Sequence, residues 1–293
     1  MTTLGTSITC YGISDTGLRR RLNEDHFMVA DLTRKAFAVE RNKLLAQFLC
    51  QPVGTSGTLL AVADGVGGYA GGELASQIAV QATAQALWTV VAAETPSQQS
   101  LSRAMEEAHH AIQQSYERSI QYPNMASTLT AIHVTADGVL LVGQVGDSRA
   151  YLFRHGELTA LTEDQTMVSH LQKTGLLSEQ EVANHPYRHV ILQALGQDHP
   201  VQPDIRSYPF QHGDRLLLCT DGLSSYVSHP SIEAILAQEA DEQASCRALI
   251  RAANAKGGLD NVTVLIASLR VGQGRDNPNQ GGCPVHTGER KAP

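Results

Sequence analysis

Four times along this 293-residue chain an apolar run meets an aspartate at a glycine-rich or polar turn: LLAVADG at Asp64, LLVGQVGDS at Asp147, RLLLCTDG at Asp221 and GGLDNVTVLIA at Asp260. Each run has the length of a buried strand, so each aspartate stands at a strand end. One Asp-Gly is an ordinary turn dipeptide. Together with Glu24 and Asp25, however, the four make six acids at strand ends drawn from distant parts of the chain. Carboxylates that converge repel one another unless a cation neutralises them. An oxygen-only donor set suits Mg2+ or Mn2+, and the His or Cys clusters expected of zinc are missing from the sequence. Gly65 would let a backbone carbonyl approach such a cation, and Gly67, Gly68, Gly71 and Gly72 would keep the mouth of the site free of side chains. Two hard cations about 3.5–4 Å apart, sharing a carboxylate, would hold a bridging hydroxide for in-line attack on phosphorus. That is the chemistry of a phosphate hydrolase. The run Arg19–Arg20–Arg21 lies just before Glu24, where a guanidinium could clamp phosphate oxygens bidentately.

The stretch Ser7–Asp31 reads as two strands around a polar, Arg-rich loop, and Thr33–Gly57 is irregular. Thr58–Ala63 reads as a strand. Apolar spacing predicts helices over Glu73–Ala93 and Ser97–Ile120, paired antiparallel, then a meander of Ser127–Val134, Gly138–Val145 and Ala150–Arg154. Glu163–Leu195 has helical character but is polar and interrupted by Gly175 and Pro186, so it is expected to leave the core as a mobile flap over about 164–195. Arg215–Cys219 is a strand, Ile232–Ala255 a helix and Val262–Leu269 a closing strand. The last 24 residues, 270–293, lack periodicity and read as a disordered tail after a domain spanning 1–269.

Twenty-two Lys and Arg against 29 Asp and Glu give a net charge of −7, the wrong sign for gripping nucleic-acid phosphates or anionic lipid. The five cysteines form no CxxC pair and read as reduced thiols. No export signal is visible, and the longest apolar run, around Ala86–Ala93, is far below the roughly 20 residues that span a bilayer. The chain is therefore expected to be cytoplasmic, without nucleic-acid or membrane partners.

Several segments, in order, resemble the motifs of the metal-dependent protein Ser/Thr phosphatases of the type 2C class in their bacterial single-domain form: SDTGLRRRLNEDHF, VADGVGGYAGGELAS, STLTA, VGQVGDSRAYLFRHGELTALTEDQT, NHPYRHVILQALG, LLLCTDGLSS and GGLDNVTVLI. The resemblance covers about Tyr11 to Leu269. It implies an α+β fold, a four-layer αββα sandwich with two central antiparallel sheets flanked by helix pairs and a flap subdomain. It also implies hydrolysis of phosphoserine and phosphothreonine with two Mn2+ or Mg2+ ions. Asp64 would bridge the two metals, the Gly65 carbonyl would serve the second, and Asp221 and Asp260 would complete the first. Glu24 and Asp25 would act at the second, directly or through water. Asp147 would join Asp221 at a third, weaker site, and Arg20 would bind the phosphate, leaving Arg19 and Arg21 as surface charge. Partners would be phosphorylated proteins and a Ser/Thr kinase, met as a monomer.

The sequence departs from the family where a histidine often follows the Asp-Gly as a candidate general acid; here Val66, Gly67, Gly68 and Tyr69 stand instead. A phenol with an ordinary pKa of about 10 is a poor acid near neutral pH. His109 and His110, adjacent on a helix, are expected to be solvated, and His185 in the flap is a candidate to approach substrate. Two rivals remain on sequence grounds, a module that binds phosphoproteins without turning them over and a small-molecule phosphatase.

Overall fold

The computed structural model describes residues 5–39, 49–66, 70–117, 125–178, 181, 185–239 and 241–272. Alternation along β5 (Thr58–Val66) divides its side chains between two cores. Leu59, Ala61 and Ala63 face a helix layer, while Leu60 and Val62 face a second sheet. The last strand, β13 (Val262–Val271), does the same in mirror fashion: Leu265, Ala267 and Leu269 join the inner core, and Val262, Val264 and Ile266 face helices on the far side. Strands buried on both faces read as near-continuous apolar runs. That is why both were visible in the sequence.

The first sheet runs β10 (Glu157–Ala160), β9 (Arg149–Arg154), β12 (Arg215–Cys219), β13, β1 (Thr6–Asp15), β4 (Leu49–Pro52). The second runs β11 (Asp204–Pro209), β8 (Val139–Val145), β7 (Leu129–Val134), β5, β2 (Asp25–Asp31), β3 (Ala36–Val39), with the two-residue β6 (Ala126–Ser127) paired to β5. All of these pairings are antiparallel. Outside the second sheet lie α1 (Ala70–Val91) and α2 (Gln98–Glu117), and outside the first lie α5 (His229–Gln238) and α6 (Glu242–Ala255). Alanines 75, 79, 84, 104 and 108 fill the contact of α1 and α2 with the sheet, and their small size lets the layers approach closely. The result is the expected αββα sandwich.

Several expectations change in detail. The single helix expected over Ile232–Ala255 is two helices. Asp241 caps α6 by accepting from the Ala244 amide at 2.7 Å, and Arg215 donates to the Leu236 and Glu239 carbonyls at the end of α5, so both interior ends are satisfied and the break is stable. Arg270 and Val271, assigned to the tail, continue β13 and pair with Ser7 and Thr6 of β1; residues 273–293 lie outside the described residues. Within Glu163–Leu195 the described helix is the seven-residue α3 (Met167–Lys173), capped by Thr166. Both stems of this excursion are stitched together. The Met167 amide donates to the Val190 carbonyl at 2.8 Å and the Leu192 amide to the Gln165 carbonyl at 2.7 Å. The outer strand β10 does not end in open edge: the Leu158 amide donates to Glu233 and its carbonyl meets His229 Nε2 at 2.9 Å, both from α5.

Candidate active site

The sandwich brings strand ends from both sheets to one rim. Asp25 opens β2 and is paired in register with Asp64 of β5, so these two carboxylates belong to the second sheet. Asp221 directly follows Thr220 after β12 and begins the one-turn α4 (Asp221–Ser224), and Asp260 stands two residues before β13; both belong to the first sheet. Asp147 lies in the turn between β8 and β9, where the chain crosses from one sheet to the other.

Backbone and hydroxyl donors fix this rim. Thr220 Oγ1 donates to Asp25 Oδ2 at 2.7 Å across 195 residues of sequence. Thr128 Oγ1 accepts from the Asp64 amide at 2.9 Å, and the Thr128 amide donates to the Asp64 carbonyl at 2.9 Å. Asn261 ties three chain segments. Its Nδ2 donates to the Thr16 and Leu22 carbonyls at 3.0 and 2.8 Å, and its Oδ1 accepts from the Glu24 amide at 2.9 Å. Gly65 and Gly72 are pressed together beside Glu24. A Cβ on Gly65 would collide with the Gly72 carbonyl, and one on Gly72 would press on the Gly65 carbonyl oxygen at 2.8 Å and displace Glu24 Oε1, so glycine is required at Gly65 and favoured at Gly72. None of Thr220, Thr128 and Asn261 stood out in the sequence. The nearest signal is that each adjoins an apolar strand.

Electrostatics records the convergence. The Asp64 carboxyl is pushed well above the usual range, by burial first and then by the charges of Asp25, Asp221, Asp147 and Asp260. Asp25 rises to about 7, again chiefly by burial, against hydrogen bonds from Thr220 and Thr263 that lower it. Asp147 rises to about 7 through burial and the charge of Asp221. Burial also raises Asp221, which shares a hydrogen bond with Asp64, and Glu24. Such a set is starved of positive charge.

Among the described residues no three His, Cys, Asp or Glu side chains already close into a shell that could hold a metal ion. The donors nevertheless suit one. Glu24 Oε1, Asp25 Oδ1 and Asp221 Oδ1 are buried carboxylate oxygens without a hydrogen-bond partner, and a Cβ on residue 72 would stand only 2.8 Å from the Gly65 carbonyl oxygen, so glycine there keeps its own position from crowding that carbonyl. Oxygen donors without nitrogen or sulfur fit Mg2+ or Mn2+.

Arg20 Nη2 donates to Asp260 Oδ2 at 2.8 Å, with about half of the Arg20 side chain still exposed. The charges of Asp64 and Glu24 also hold the guanidinium protonated. Arg19 and Arg21 are exposed and have no ion-pair partner among the described residues. Tyr69 lies outside the described residues. His185 accepts from the Tyr187 amide within its own turn, whereas His189 Nδ1 stands 4.0 Å from Asp221 Oδ2, so the site-facing histidine is one the sequence reading missed. His109 is buried, not solvated: its Nδ1 accepts from the Gly196 amide at 3.1 Å because the buried face of α2 is wide enough to include it. A cavity of about 590 Å³ adjoins Asp147 and Asp221, walled by α3 on one side and by Arg188 and His189 on another.

Residues 43–258 match the sequence pattern of the family described as protein phosphatase 2C. The serine/threonine phosphatase stp of Listeria monocytogenes is 35% identical over 221 residues, which cover 74% of this chain and 87% of that protein. The crystal structure of the Mycobacterium tuberculosis serine/threonine phosphatase PstP superposes with a TM-score of 0.74 at 35% identity, covering 90% of this chain and 99% of that one. The catalytic domain of a PstP in complex with two manganese ions superposes with a TM-score of 0.70 at 34% identity, over the same shares of the two chains.

Proposed function

The chain belongs to the protein phosphatase 2C family, and we propose that it is a metal-dependent phosphoprotein phosphatase that removes phosphate from serine and threonine side chains by in-line displacement. The observation that carries this reading is the set of buried, partnerless carboxylate oxygens of Glu24, Asp25 and Asp221 beside an arginine with free donors.

In this reading Asp64 would be a ligand to both of two Mn2+ or Mg2+ ions. Asp221 and Asp260 would complete one site; Glu24, Asp25 and the Gly65 carbonyl would serve the other, the two acids directly or through water. Asp147 and Asp221 would hold a third, weaker ion. Cations bound there would supply Lewis acidity and lower the pKa of bound water. The chain's own groups do the remaining work. Arg20 uses the guanidinium edge left free by Asp260 to hold phosphate oxygens in line with the attack. Thr220 and Thr128 lock the Asp25 and Asp64 segments, so the carboxylates keep their places as charge builds up. Asn261 fixes the loop that carries Arg20 to the one that carries Asp260.

The catalytic unit extends through β13, with 164–195 as the segment beside the site that meets the protein substrate. Free, buried Cys10, Cys219 and Cys246 agree with a reducing compartment, and the same reading makes the protein a cytoplasmic monomer that opposes a Ser/Thr kinase. Among the described residues no helix is long and apolar enough to cross a membrane.

The test is hydrolysis of a phosphothreonine peptide and of a small aryl phosphate, each with Mn2+ and with chelator. Mn2+-dependent release of phosphate from the peptide is expected. No turnover of either substrate with metal would leave a phosphoprotein-binding module, and turnover of the aryl phosphate alone would leave a small-molecule phosphatase.

A further inference from the structure

Three leucines stand in water around the Arg20–Asp260 pair. Leu18 and Leu22 lie two residues to either side of Arg20, and Leu259 immediately precedes Asp260; they are 66%, 44% and 47% exposed. Long apolar side chains left open on a protein surface usually occur singly and need no explanation. These three lie on two loops that are stitched into one rigid lip. The Leu18 and Arg19 amides both donate to the Gly258 carbonyl, at 2.8 and 3.1 Å. Asn261 Nδ2 holds the Thr16 and Leu22 carbonyls, and Arg20 itself reaches across to Asp260. The Leu18 side chain lies against the backbone of Gly258, where an added Cβ would stand 2.7 Å from its Cγ. The lip therefore holds apolar surface in a fixed place without burying it, so little ordering entropy is lost when something covers it.

What covers it is set by where it is. A phosphate bound by Arg20 fixes the phosphorylated residue between Leu18 and Leu22 along one loop and beside Leu259 on the other. The side chains next to that residue in the substrate must then pass over the leucines. We infer that this lip is a specificity surface for phosphoproteins that carry apolar side chains immediately flanking the phosphorylated serine or threonine. The inference rests on the phosphatase reading above and deepens it. Basic character on the same loop, from the exposed Arg19 and Arg21, favours an anionic substrate, but it does not distinguish one phosphopeptide from another. The leucines do.

The experiment compares two phosphothreonine peptides of equal length and charge, one with leucine and one with serine on both sides of the phosphothreonine, in the full chain with Mn2+. Covering one or two leucines is worth about tenfold or more in transition-state binding. The ratio of kcat/KM for the leucine peptide over the serine peptide is therefore expected to be roughly 10 in the unmodified protein and to fall toward about 1 in Leu18→Ser, Leu259→Ser and their double variant. Because a ratio within one protein is read, any loss of folded or metal-loaded enzyme cancels. A ratio near 1 in the unmodified protein, or a preference that survives the double variant, overturns the lip as a specificity surface and leaves the phosphatase reading standing. Absence of turnover for both peptides overturns the phosphatase reading, and this inference with it.

Discussion

Gly146 and Gln165 hold each other twice. The Gly146 amide donates to Gln165 Oε1 at 2.8 Å, and the Gln165 amide donates to the Gly146 carbonyl at 3.0 Å. Gly146 directly precedes Asp147, and Gln165 stands at the root of the 164–195 excursion, where its own carbonyl takes the Leu192 amide from the returning stem. Gln165 Nε2 adds a bond to the Gln144 carbonyl at 3.3 Å, and the neighbouring Asp164 is gripped by Arg149 through two bonds of 2.7 and 2.6 Å. The turn that carries Asp147 and the base of the excursion are thus one hydrogen-bonded unit.

Replacing Gln165 by Ala leaves the buried Gly146 amide without its acceptor. An unsatisfied buried donor costs about 1–3 kcal/mol, so urea denaturation of Gln165→Ala should show a loss of that size. Calorimetric titration with Mn2+ should also lose the weakest binding event while the tighter ones persist. A variant as stable as the parent, with an unchanged isotherm, would mean that Gln165 does not position the Asp147 turn.

Arg20→Ala should lower kcat/KM by roughly 10- to 150-fold, the worth of a charge-assisted bidentate contact. Arg20→Lys should recover only part of this, since an ammonium keeps the charge and loses the planar fork. Mn2+ affinity should hold or rise, because Asp260 loses its cationic competitor. Arg19→Ala and Arg21→Ala are the internal controls and should be nearly neutral. A large defect in either, with Arg20→Ala unaffected, would move the phosphate contact to the neighbouring guanidinium.

In the proposed reading Asp64→Asn removes the charge that two cations would share, so its calorimetric Mn2+ stoichiometry should fall below that of the unmodified chain, and hydrolysis should vanish. Asp147→Asn should keep two ions per chain. Equal stoichiometry in Asp64→Asn and the parent would refute the shared ligand.

Stability should depend on pH in opposite senses with and without metal. Asp25 and Asp147, pushed up by burial to about 7, sit above the ordinary carboxylate value near 4. A group whose folded pKa exceeds its unfolded one gives stability that is full below the unfolded value and is lost as pH rises through the folded value. The chelated protein should therefore melt at lower temperature as pH goes from about 5 to about 8. His133 pulls the other way. Burial lowers it to about 4, so its contribution is present above its ordinary 6.5 and lost as pH falls toward 4. One imidazole is outweighed by two aspartates, reinforced by the raised Asp64 and Asp221. Excess Mn2+ binds the ionised carboxylates and should reverse the slope. Thermal melts across this range, in chelator and in Mn2+, decide it; a flat chelated profile would mean that the carboxylates ionise in the folded chain unaided.

The strands legible in the sequence were those buried on both faces. The observed β12 has the bounds read from its apolar run, Arg215–Cys219, because Thr220 and Asp221 end that run abruptly. The edge strands β10 and β11 were missed, as were β3 and β4 at the opposite edges, inside the stretch Thr33–Gly57 read as irregular. Leu158 is the sole buried residue of β10, and β11 is half exposed throughout, so neither carries an apolar run. The acids at the rim were legible for a related reason: a carboxylate that closes an apolar run announces itself. Groups that acquire meaning only through partners far away were not legible. Thr220 acts on Asp25, Asn261 on Thr16, Leu22 and Glu24, and His189 approaches Asp221, and nothing local in the sequence marks any of the three. Arg20 stood out in the sequence by motif alone; its bond to Asp260 did not.

Asp25 and Asp64 ride on one sheet, Asp221 and Asp260 on the other, and the two sheets meet through the inner core of Phe27, Leu60, Val62, Leu218 and Leu265 with their neighbours. The gap across the carboxylate set is therefore gauged by a single layer of interdigitated side chains, in a sandwich whose sheets stand about 10 Å apart. Residues that never meet substrate are in this sense part of the instrument. One methylene added or removed at Leu60 or Leu218 shifts the calibration at the rim, and attempts to toughen the protein by refilling that layer would retune its catalysis at the same time.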